Sequence, residues 1–281
     1  MLSKKWVRAV LIVVAVACVA VCLVSAVFLI QYYKSTSGLA SLKTQVKEPD
    51  APVETPEEPE DAAADETPEE PEDAEPEPVV LPVDFAALQE VNPDIYAWLE
   101  IPGTTIDQPV LQHPTDQLYY HYHDYSGASS IFGAVYSQSD YNDTGFDAPM
   151  TVLYGHDTVF YNPCAFAELN NYADALYFDE HRTMLVYTPE AVYTYRVFAA
   201  YVHNNEHLLA CHDFADPAVF TQFFDELAQT PGLYGCVLED ELPEPGDLVL
   251  TLSTCFRTNR NQRFLVQAVL EETAYVEEEA E

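Results

Sequence analysis

The sequence contains few basic residues. Lys and Arg number 11 against 47 Asp and Glu, the formal net charge is -36, and no lysine follows Lys47. Recognition of nucleic-acid phosphates requires clustered Lys and Arg, so this composition argues against a nucleic-acid-binding protein. The same charge balance argues against docking of the folded part on an anionic membrane through ion pairs.

Cysteine is also scarce. Six cysteines in 281 residues are too few for a small domain built on disulfides, and a chain of this length can bury a core of its own. Apolar residues make up 48% of the sequence, which excludes a wholly disordered chain. Four cysteines follow the amino-terminal region, and two interpretations stay open for them: disulfides or buried small side chains, or one reactive thiol. These are Cys164, Cys211, Cys236 and Cys255.

A long apolar run lies near the amino terminus. Residues 7–30 are apolar except for Arg8, two Cys and one Ser. A helix of this length spans roughly 36 Å, enough to cross a bilayer. Lys4, Lys5 and Arg8 favour a cytoplasmic amino terminus at residues 1–6, with the rest of the chain outside the membrane. A cleaved signal peptide is the alternative, but the run exceeds the usual length of a signal peptide's apolar region, so we predict an uncleaved transmembrane anchor.

An acidic, proline-rich segment follows. Residues 48–78 contain 15 acids, eight prolines and no base, and the octapeptide at 55–62 recurs at 67–74. Such a segment buries too little apolar surface to offset its ordering entropy, so residues 31–80 are predicted to be a disordered stalk. In a polyproline-like form its acidic part would extend up to ~100 Å and act as a solvated spacer.

The composition becomes globular near residue 81, and we predict a catalytic domain over 81–272 and an acidic tail over 273–281. The apolar pattern of residues 84–98, interrupted at Asn92 and Pro93, predicts two short helices. Residues 217–229, capped by Asp216, predict a longer helix. Short runs rich in Val, Tyr, Phe and Thr predict strands at 108–112, 134–136, 150–154, 184–188, 191–202, 247–254 and 263–270. This pattern favours a mainly β barrel or sandwich over a parallel α/β sheet.

Cys255 differs from the other cysteines in its setting. It ends the apolar run 248–254, and a polar loop over 256–262 leads into a second strand that starts at Arg263. Such a hairpin places Cys255 and Arg263 at facing strand ends, so that the thiol stands at a rim beside a permanent cation. An arginine in that position can also donate hydrogen bonds to a developing oxyanion.

A nucleophilic cysteine needs an acid and base, and His156 is the candidate. It ends the strand-like run 151–156, where Gly155 allows a tight turn. The other seven histidines lie in polar contexts and are predicted to be surface residues: His113, His121, His123, His181, His203, His207 and His212. Their spacing forms no zinc signature, so we expect neither a metal nor another cofactor.

The segment Thr251-Leu-Ser-Thr-Cys255, with Arg263 eight residues on, and the segment Leu153-Tyr-Gly-His156 together resemble the signature of the sortases. Sortases are membrane-anchored cysteine transpeptidases of Gram-positive bacteria. The likeness is strongest to class B, and it extends over residues 92–104, 106–110, 166–169, 187–189 and 195–201. The chain departs from the family pattern at Asp157, where Asn is common, and at Gln117 and His121. The last two differences leave the sorting motif open.

The resemblance implies a closed eight-stranded sortase β-barrel with amino-terminal helices and an extra helix between strands 6 and 7. It implies that Cys255 attacks the carbonyl after a Thr in the carboxy-terminal sorting signal of a surface protein. His156 would be the acid and base, and Arg263 would stabilise the oxyanion. The thioacyl group would pass to an amine of a cell-wall precursor or to a pilin lysine. Ser253 would help to position the substrate or Arg263, with Tyr154 and Thr254 as walls of the site.

Two other function classes compete with this interpretation. A papain-like hydrolase could use Cys255 and His156, but such enzymes place the cysteine before the histidine, at the start of a helix. A non-enzymatic adhesin would leave Cys255, His156 and Arg263 scattered, whereas a transpeptidase requires them to converge. Residues 79–281 hold 32 acids and five bases, which reflects either solubility or the attraction of a cationic acceptor amine.

Overall fold

The computed structural model describes residues 4–47, 81–157, 166–230 and 233–276, and nine strands form its folded part. They are β1 (Ile95–Glu100), β2 (Asp107–Leu111), β3 (Val135–Tyr136), β4 (Met150–Tyr154), β5 (Thr183–Tyr187), β6 (Ala191–His203), β7 (Gly235–Val237), β8 (Val249–Phe256) and β9 (Asn259–Tyr275).

Eight of these strands close into a barrel. Around the ring the order is β5, β1, β2, β3, β4, β8, β9 and β6, and pairing between β5 and β6 closes it. The pairs β2–β3 and β4–β8 are parallel, and the other pairs are antiparallel. β7 pairs with the last part of β6, beyond the residues that pair with β5. The predicted closed eight-stranded barrel is therefore confirmed.

Five α-helices accompany the strands in the described residues. They are α1 (Lys4–Val46), α2 (Phe85–Val91), α3 (Ala175–Glu180), α4 (Leu208–Cys211) and α5 (Pro217–Ala228). The side chain of Asp216 accepts a hydrogen bond from the Ala218 N–H and so caps α5, as its sequence predicts. α5 lies between the sixth and seventh strands of the chain, and the prediction of an extra helix there is confirmed.

The prediction of two short helices over 84–98 is half wrong. Residues 85–91 form α2, but the second half of the segment is β1, which pairs with β2 on one side and β5 on the other. Both faces of β1 are covered: Leu99 packs into the barrel and Trp98 packs outside it. A strand buried on both faces lacks the alternation of a half-exposed strand, so its apolar pattern also fits a helix.

Three apolar clusters hold these elements together. One fills the barrel with alternate strand residues such as Leu153, Leu252 and Val266. A second packs the outer faces of β1, β2, β3 and β5 beneath α1 and α2. A third lies beneath α5, where Phe220 and Phe224 pack against Phe198 of β6. The barrel is thus covered on two sides by helices, and its strand ends are left to form a site.

Helix α1 corrects the boundary predicted between anchor and stalk. It does not stop at residue 30 but continues to Val46, and Leu39, Leu42 and Val46 are buried in the second cluster. Lys43 pairs with Asp107 at 2.9 Å, and Lys47 pairs with Asp107 at 2.9 Å and with Glu100 at 2.5 Å. Residues 31–47 were predicted to belong to the stalk because they follow the continuous apolar run. Their apolar residues are spaced along one face of a helix, and that face is buried only by the folded domain. The remainder of the predicted stalk, residues 48–80, lies outside the described residues.

Ion pairing at this junction shifts the pKa values of Lys47 and Asp107 in opposite directions. Burial opposes the charge on Lys47, but hydrogen bonds and the negative charges of Glu100 and Asp107 prevail and raise the pKa of Lys47. Burial likewise opposes the charge on Asp107, but Lys43 and Lys47 prevail and lower the pKa of Asp107. The pairs therefore favour the helix in its docked position near neutral pH.

Candidate active site

A cavity of about 200 Å³ opens where β4, β8 and β9 end together. The register brings the ends side by side: β4 runs parallel to β8, with Tyr154 beside Ser253, and β8 runs antiparallel to β9, with Cys255 opposite Arg263. Among the residues that line the cavity are Cys255, His156, Arg263, Ser253, Tyr154, Thr254, His121, His203, Glu206 and His207. The residues predicted as nucleophile, base and cation thus meet in one place.

Cys255 and Arg263 face each other across the β8–β9 hairpin, as their spacing predicts. Nη1 of Arg263 lies 3.6 Å from Sγ of Cys255, and both side chains are half-buried. The strand is longer than predicted, because β9 begins at Asn259 rather than at Arg263. Arg263 is therefore held within a ladder of strand pairs, which fixes its position beside the thiol.

His156 follows β4 and is held by its backbone surroundings. A Cβ on the preceding Gly155 would lie 2.7 Å from the Phe166 ring, so only glycine fits there. Nε2 of His156 lies 2.8 Å from the carbonyl oxygen of His121. Because a carbonyl only accepts, Nε2 carries the proton, and Nδ1 is the nitrogen that can accept another one.

Burial lowers the pKa of His156, the positive charge of Arg260 lowers it further, and the hydrogen bond to His121 opposes both effects. At neutral pH the imidazole is therefore neutral. A neutral imidazole can take a proton from a thiol or from an amine.

His121 also belongs to the site, and its prediction as a surface residue is wrong. Its ring lies 4.0 Å from the His156 ring, centroid to centroid. Burial, followed by the positive charges of His156 and Arg263, lowers the pKa of His121 to about 4. His203 and His207 line the same cavity and correct the same prediction. No local sequence pattern indicates this, because segments that are distant in the chain bring these residues together.

An ion-pair network beside the site was not predicted. The side chain of Asp157 is fully buried, and its carboxylate lies 3.3 Å from Arg257 and 3.5 Å from Arg260. Nη1 of Arg260 also donates to the carbonyl oxygen of Asp157 at 2.8 Å, and Arg257 donates to the carbonyl of Ala167. Burial raises the pKa of Asp157, although both arginines oppose the shift. A carboxylate in place of the usual asparagine thus ties the end of β4 to the β8–β9 hairpin.

The other residues singled out in the sequence lie partly in the cavity and partly outside it. Thr254 donates from Oγ1 to the carbonyl of Gly155 at 2.8 Å, so it supports the turn before His156 as well as lining the cavity. Gln117, one of the two departures from the family pattern, donates to Ser139 at 2.9 Å and does not line the cavity, unlike His121. Cys211 and Cys236 are free thiols, like Cys255, and Cys164 lies outside the described residues.

Comparison with known proteins agrees with this geometry. The sequence profile of the family described as "Sortase domain" matches residues 99–271. Sortase B of Listeria monocytogenes is 29% identical over 170 residues, which cover 60% of this chain and 65% of that protein. Sortase B of Staphylococcus aureus is 26% identical over 171 residues, or 61% of this chain and 67% of that protein. The match therefore spans just under two thirds of the Listeria relative's length.

Solved structures of sortase B are also similar to the chain. A Bacillus anthracis sortase B in complex with AAEK2 superposes with a TM-score of 0.57 at 26% identity, covering 67% of this chain and 82% of that one. A Staphylococcus aureus sortase B–substrate complex also superposes with a TM-score of 0.57, at 25% identity, covering 67% of this chain and 84% of that one. The family profile, over residues 99–271, spans most of the barrel described above.

Proposed function

The chain belongs to the sortase family and is sortase B-like, and on that premise we propose that it is a membrane-anchored cysteine transpeptidase. Its substrates are surface proteins that carry a carboxy-terminal sorting signal. It cleaves the signal after a Thr through a thioacyl intermediate on Cys255 and transfers the protein to an amine. The observation that carries the proposal is that Cys255, His156 and Arg263 line one cavity, with the guanidinium 3.6 Å from the thiol sulfur.

The first half-reaction uses all three side chains. The thiol proton of Cys255 passes to His156, and Sγ forms a bond to the substrate carbonyl carbon. The carbonyl oxygen becomes negative and accepts hydrogen bonds from Arg263. The scissile C–N bond then breaks, and His156 returns the proton to the leaving amine. The product is a thioester between Cys255 and the substrate's Thr.

The second half-reaction reverses these roles. An amine attacks the thioester carbon and His156 removes the amine proton. The C–S bond then breaks, and His156 passes the proton to the sulfur, which regenerates the thiol. The acceptor is an amine of a cell-wall precursor or a pilin lysine. Glu206 lines the same cavity and gives it a negative charge that favours a cationic acceptor.

The amino-terminal helix supplies the anchor. Residues 10–46 of α1 include a segment long and apolar enough to cross a membrane, with a mean hydropathy of 3.2 in its most apolar window. We assign the span to residues 7–30, since Lys4, Lys5 and Arg8 lie before it and favour a cytoplasmic amino terminus. The catalytic domain is then extracellular. Neither nucleic acid nor a cofactor enters the proposal.

Convergence of the three side chains weighs against the other two classes. An adhesin gives no physical reason to place an arginine against a half-buried thiol and a histidine in the same cavity. In a papain-like hydrolase the cysteine begins a helix, whereas here Cys255 lies in β8.

Mass spectrometry of the acyl-enzyme tests the proposal. The full chain is incubated with a library of sorting-signal peptides, first alone and then with triglycine or Nα-acetyl-lysine. We expect a mass increase on the Cys255 peptide equal to the acyl fragment, followed by an amide product when an amine is added. Release of only the free acid at saturating amine would indicate a hydrolase. Absence of any adduct across the library would contradict the enzyme assignment.

A further inference from the structure

Helix α1 continues without a break from the apolar run into the folded domain. The run ends at residue 30, and the helix ends at Val46. Between Phe28 and Val46, buried and half-buried residues recur at intervals of three or four positions, among them Phe28, Tyr32, Ser35, Leu39, Leu42 and Val46. This spacing places them on one face of the helix. The same helix that is proposed to cross the membrane therefore packs against the barrel.

The contact begins within the apolar run. The Phe132 ring packs edge-on against Phe28, with centroids 5.5 Å apart, and against Tyr32, with centroids 6.1 Å apart. One turn and a half further on, the helix approaches Tyr125 closely at Gly38, where a Cβ would lie 2.9 Å from the tyrosine oxygen. Since Phe28 precedes the end of the run at residue 30, Phe132 lies at the level where the helix leaves the bilayer.

The acidic segment does not separate the domain from the membrane. Lys47 and Val83, which flank residues 48–80, form an antiparallel bridge with each other. The N–H of Asp84 also donates to the carbonyl of Val46 at 2.7 Å. Both flanks of the segment therefore lie at one place on the domain, so the distance to the membrane is set by α1 and not by the length of the acidic segment.

Exposed apolar side chains adjoin the residues of this contact along the backbone. Ile131, its neighbour, is 51% exposed, and Tyr122 is 60% exposed. The backbone links the two positions, because the N–H of Ser130 donates to the carbonyl of Tyr122 at 2.8 Å. On the helix itself, Tyr33 is 73% exposed. Tyr33, Tyr122 and Ile131 together form what we call the lipid face. Tyrosines are enriched where a protein meets the membrane–water interface.

The lipid face adjoins the cavity. A Cβ on Gly133, the residue after Phe132, would lie 3.1 Å from Cδ2 of His156, and 2.9 Å from the carbonyl oxygen of His121. That same carbonyl accepts the hydrogen bond from His156. One residue thus separates the ring that contacts α1 from the imidazole of the site, a step of about 4 Å along the backbone.

We propose that the lipid face lies in the outer interface of the bilayer and that the Cys255 cavity opens directly beside the membrane surface. The inference rests on the anchor assigned under the proposed function. Contact with lipid is apolar rather than ionic, because residues 79–281 contain only five bases and no lysine.

Quenching by brominated lipid tests the arrangement in the full chain. The Ile131→Trp variant is reconstituted in phosphatidylcholine vesicles with bromine on carbons 6 and 7 of one acyl chain. The matched control is Tyr275→Trp, an exposed aromatic position twelve residues beyond Arg263 on β9, or about 40 Å along the strand. The signal of Trp6 and Trp98 is subtracted with the unsubstituted protein. We expect the fluorescence of the added tryptophan in Ile131→Trp to be quenched at least about threefold more than that in Tyr275→Trp. Because the contact is apolar, this difference should not change with salt concentration.

A second variant tests the cause. Gly38→Leu places a side chain against Tyr125 and should part α1 from the domain, so that quenching at position 131 falls to the control level while thioacyl formation with a soluble peptide is retained. Equal quenching of Ile131→Trp and Tyr275→Trp in protein that floats with the vesicles would overturn the inference and leave the anchor intact. Failure of the unsubstituted protein to float with vesicles would instead refute the anchor itself.

Discussion

Arg263 is the side chain whose removal gives the most informative loss of activity. Among the described residues that line the cavity it is the one guanidinium, and it lies 3.6 Å from the Cys255 sulfur. Loss of one preorganised donor to an oxyanion typically slows a reaction 10²–10³-fold, or about 2.7–4 kcal/mol of transition-state stabilisation. We therefore expect Arg263→Ala to slow thioacyl formation by at least ~10²-fold, with a smaller effect on peptide binding.

Arg263→Lys should recover little of this loss. A lysine retains the charge, but its ammonium is a compact point charge and does not reproduce the planar fork of donors. The matched control is Arg260→Ala. Arg260 lies in the same strand, but its guanidinium is bound to the carboxylate and carbonyl of Asp157 rather than directed at the thiol.

Single-turnover kinetics measure the step directly. Each variant is mixed in excess with a sorting-signal peptide, quenched in acid, and assayed by mass spectrometry for acylated Cys255 peptide. Circular dichroism and the urea midpoint show whether the variants are folded. The reasoning is refuted if Arg260→Ala slows acylation more than Arg263→Ala does, or if Arg263→Lys acylates at the unsubstituted rate.

Three further predictions concern the surroundings of the site. His121 has a pKa lowered to about 4, so the unfolded chain binds more protons than the native one between pH 6.5 and about 4, and stability falls as pH is lowered through that range. His121→Leu should flatten this fall, as measured by urea midpoints at pH 7 and pH 4.5. Asp157→Ala removes the buried partner of Arg257 and Arg260. Because both arginine side chains are more than a third exposed, water replaces much of the lost interaction, so the free energy of unfolding in urea should fall by only about 1 kcal/mol, and by less in Asp157→Asn. If the domain's acidity recruits a cationic amine, the amine-dependent step should slow as salt rises from about 0.01 to 0.5 M while acylation by a neutral peptide stays flat. Glu206→Gln should reduce that salt dependence, and an equal response of both steps would contradict it.

The sequence predicts the elements that fold from local signals. β4 was predicted with the bounds it has, and α5 was predicted to within one residue, because a capping Asp and a following Pro mark its start. The sequence also predicts that Cys255 and Arg263 lie opposite each other, since a short loop between two apolar runs indicates a hairpin. These inferences need no knowledge of what packs on either side.

Features that depend on contacts between distant parts of the chain cannot be predicted from local sequence patterns. The strand β1 was taken for a helix because both of its faces are buried by other elements. His121 reaches the site because the N–H of Ala134 donates to the carbonyl of Tyr120 and holds this segment beside the start of β3. Asp157 pairs with Arg257, which lies 100 residues further along the chain. The docking of α1 depends on a ring at position 132 that no local pattern connects to Phe28. Each of these errors concerns a tertiary contact rather than a misread motif.

The central claim is that Cys255 is the nucleophile, and replacing cysteines one at a time tests it most directly. Cys164→Ala, Cys211→Ala and Cys236→Ala are compared with Cys255→Ala in the same assay of peptide cleavage and amide formation. We predict that Cys255→Ala abolishes both activities and forms no acyl adduct, while the other three variants retain both. A Cys255→Ala protein that still joins a peptide to an amine at the unsubstituted rate would contradict the account.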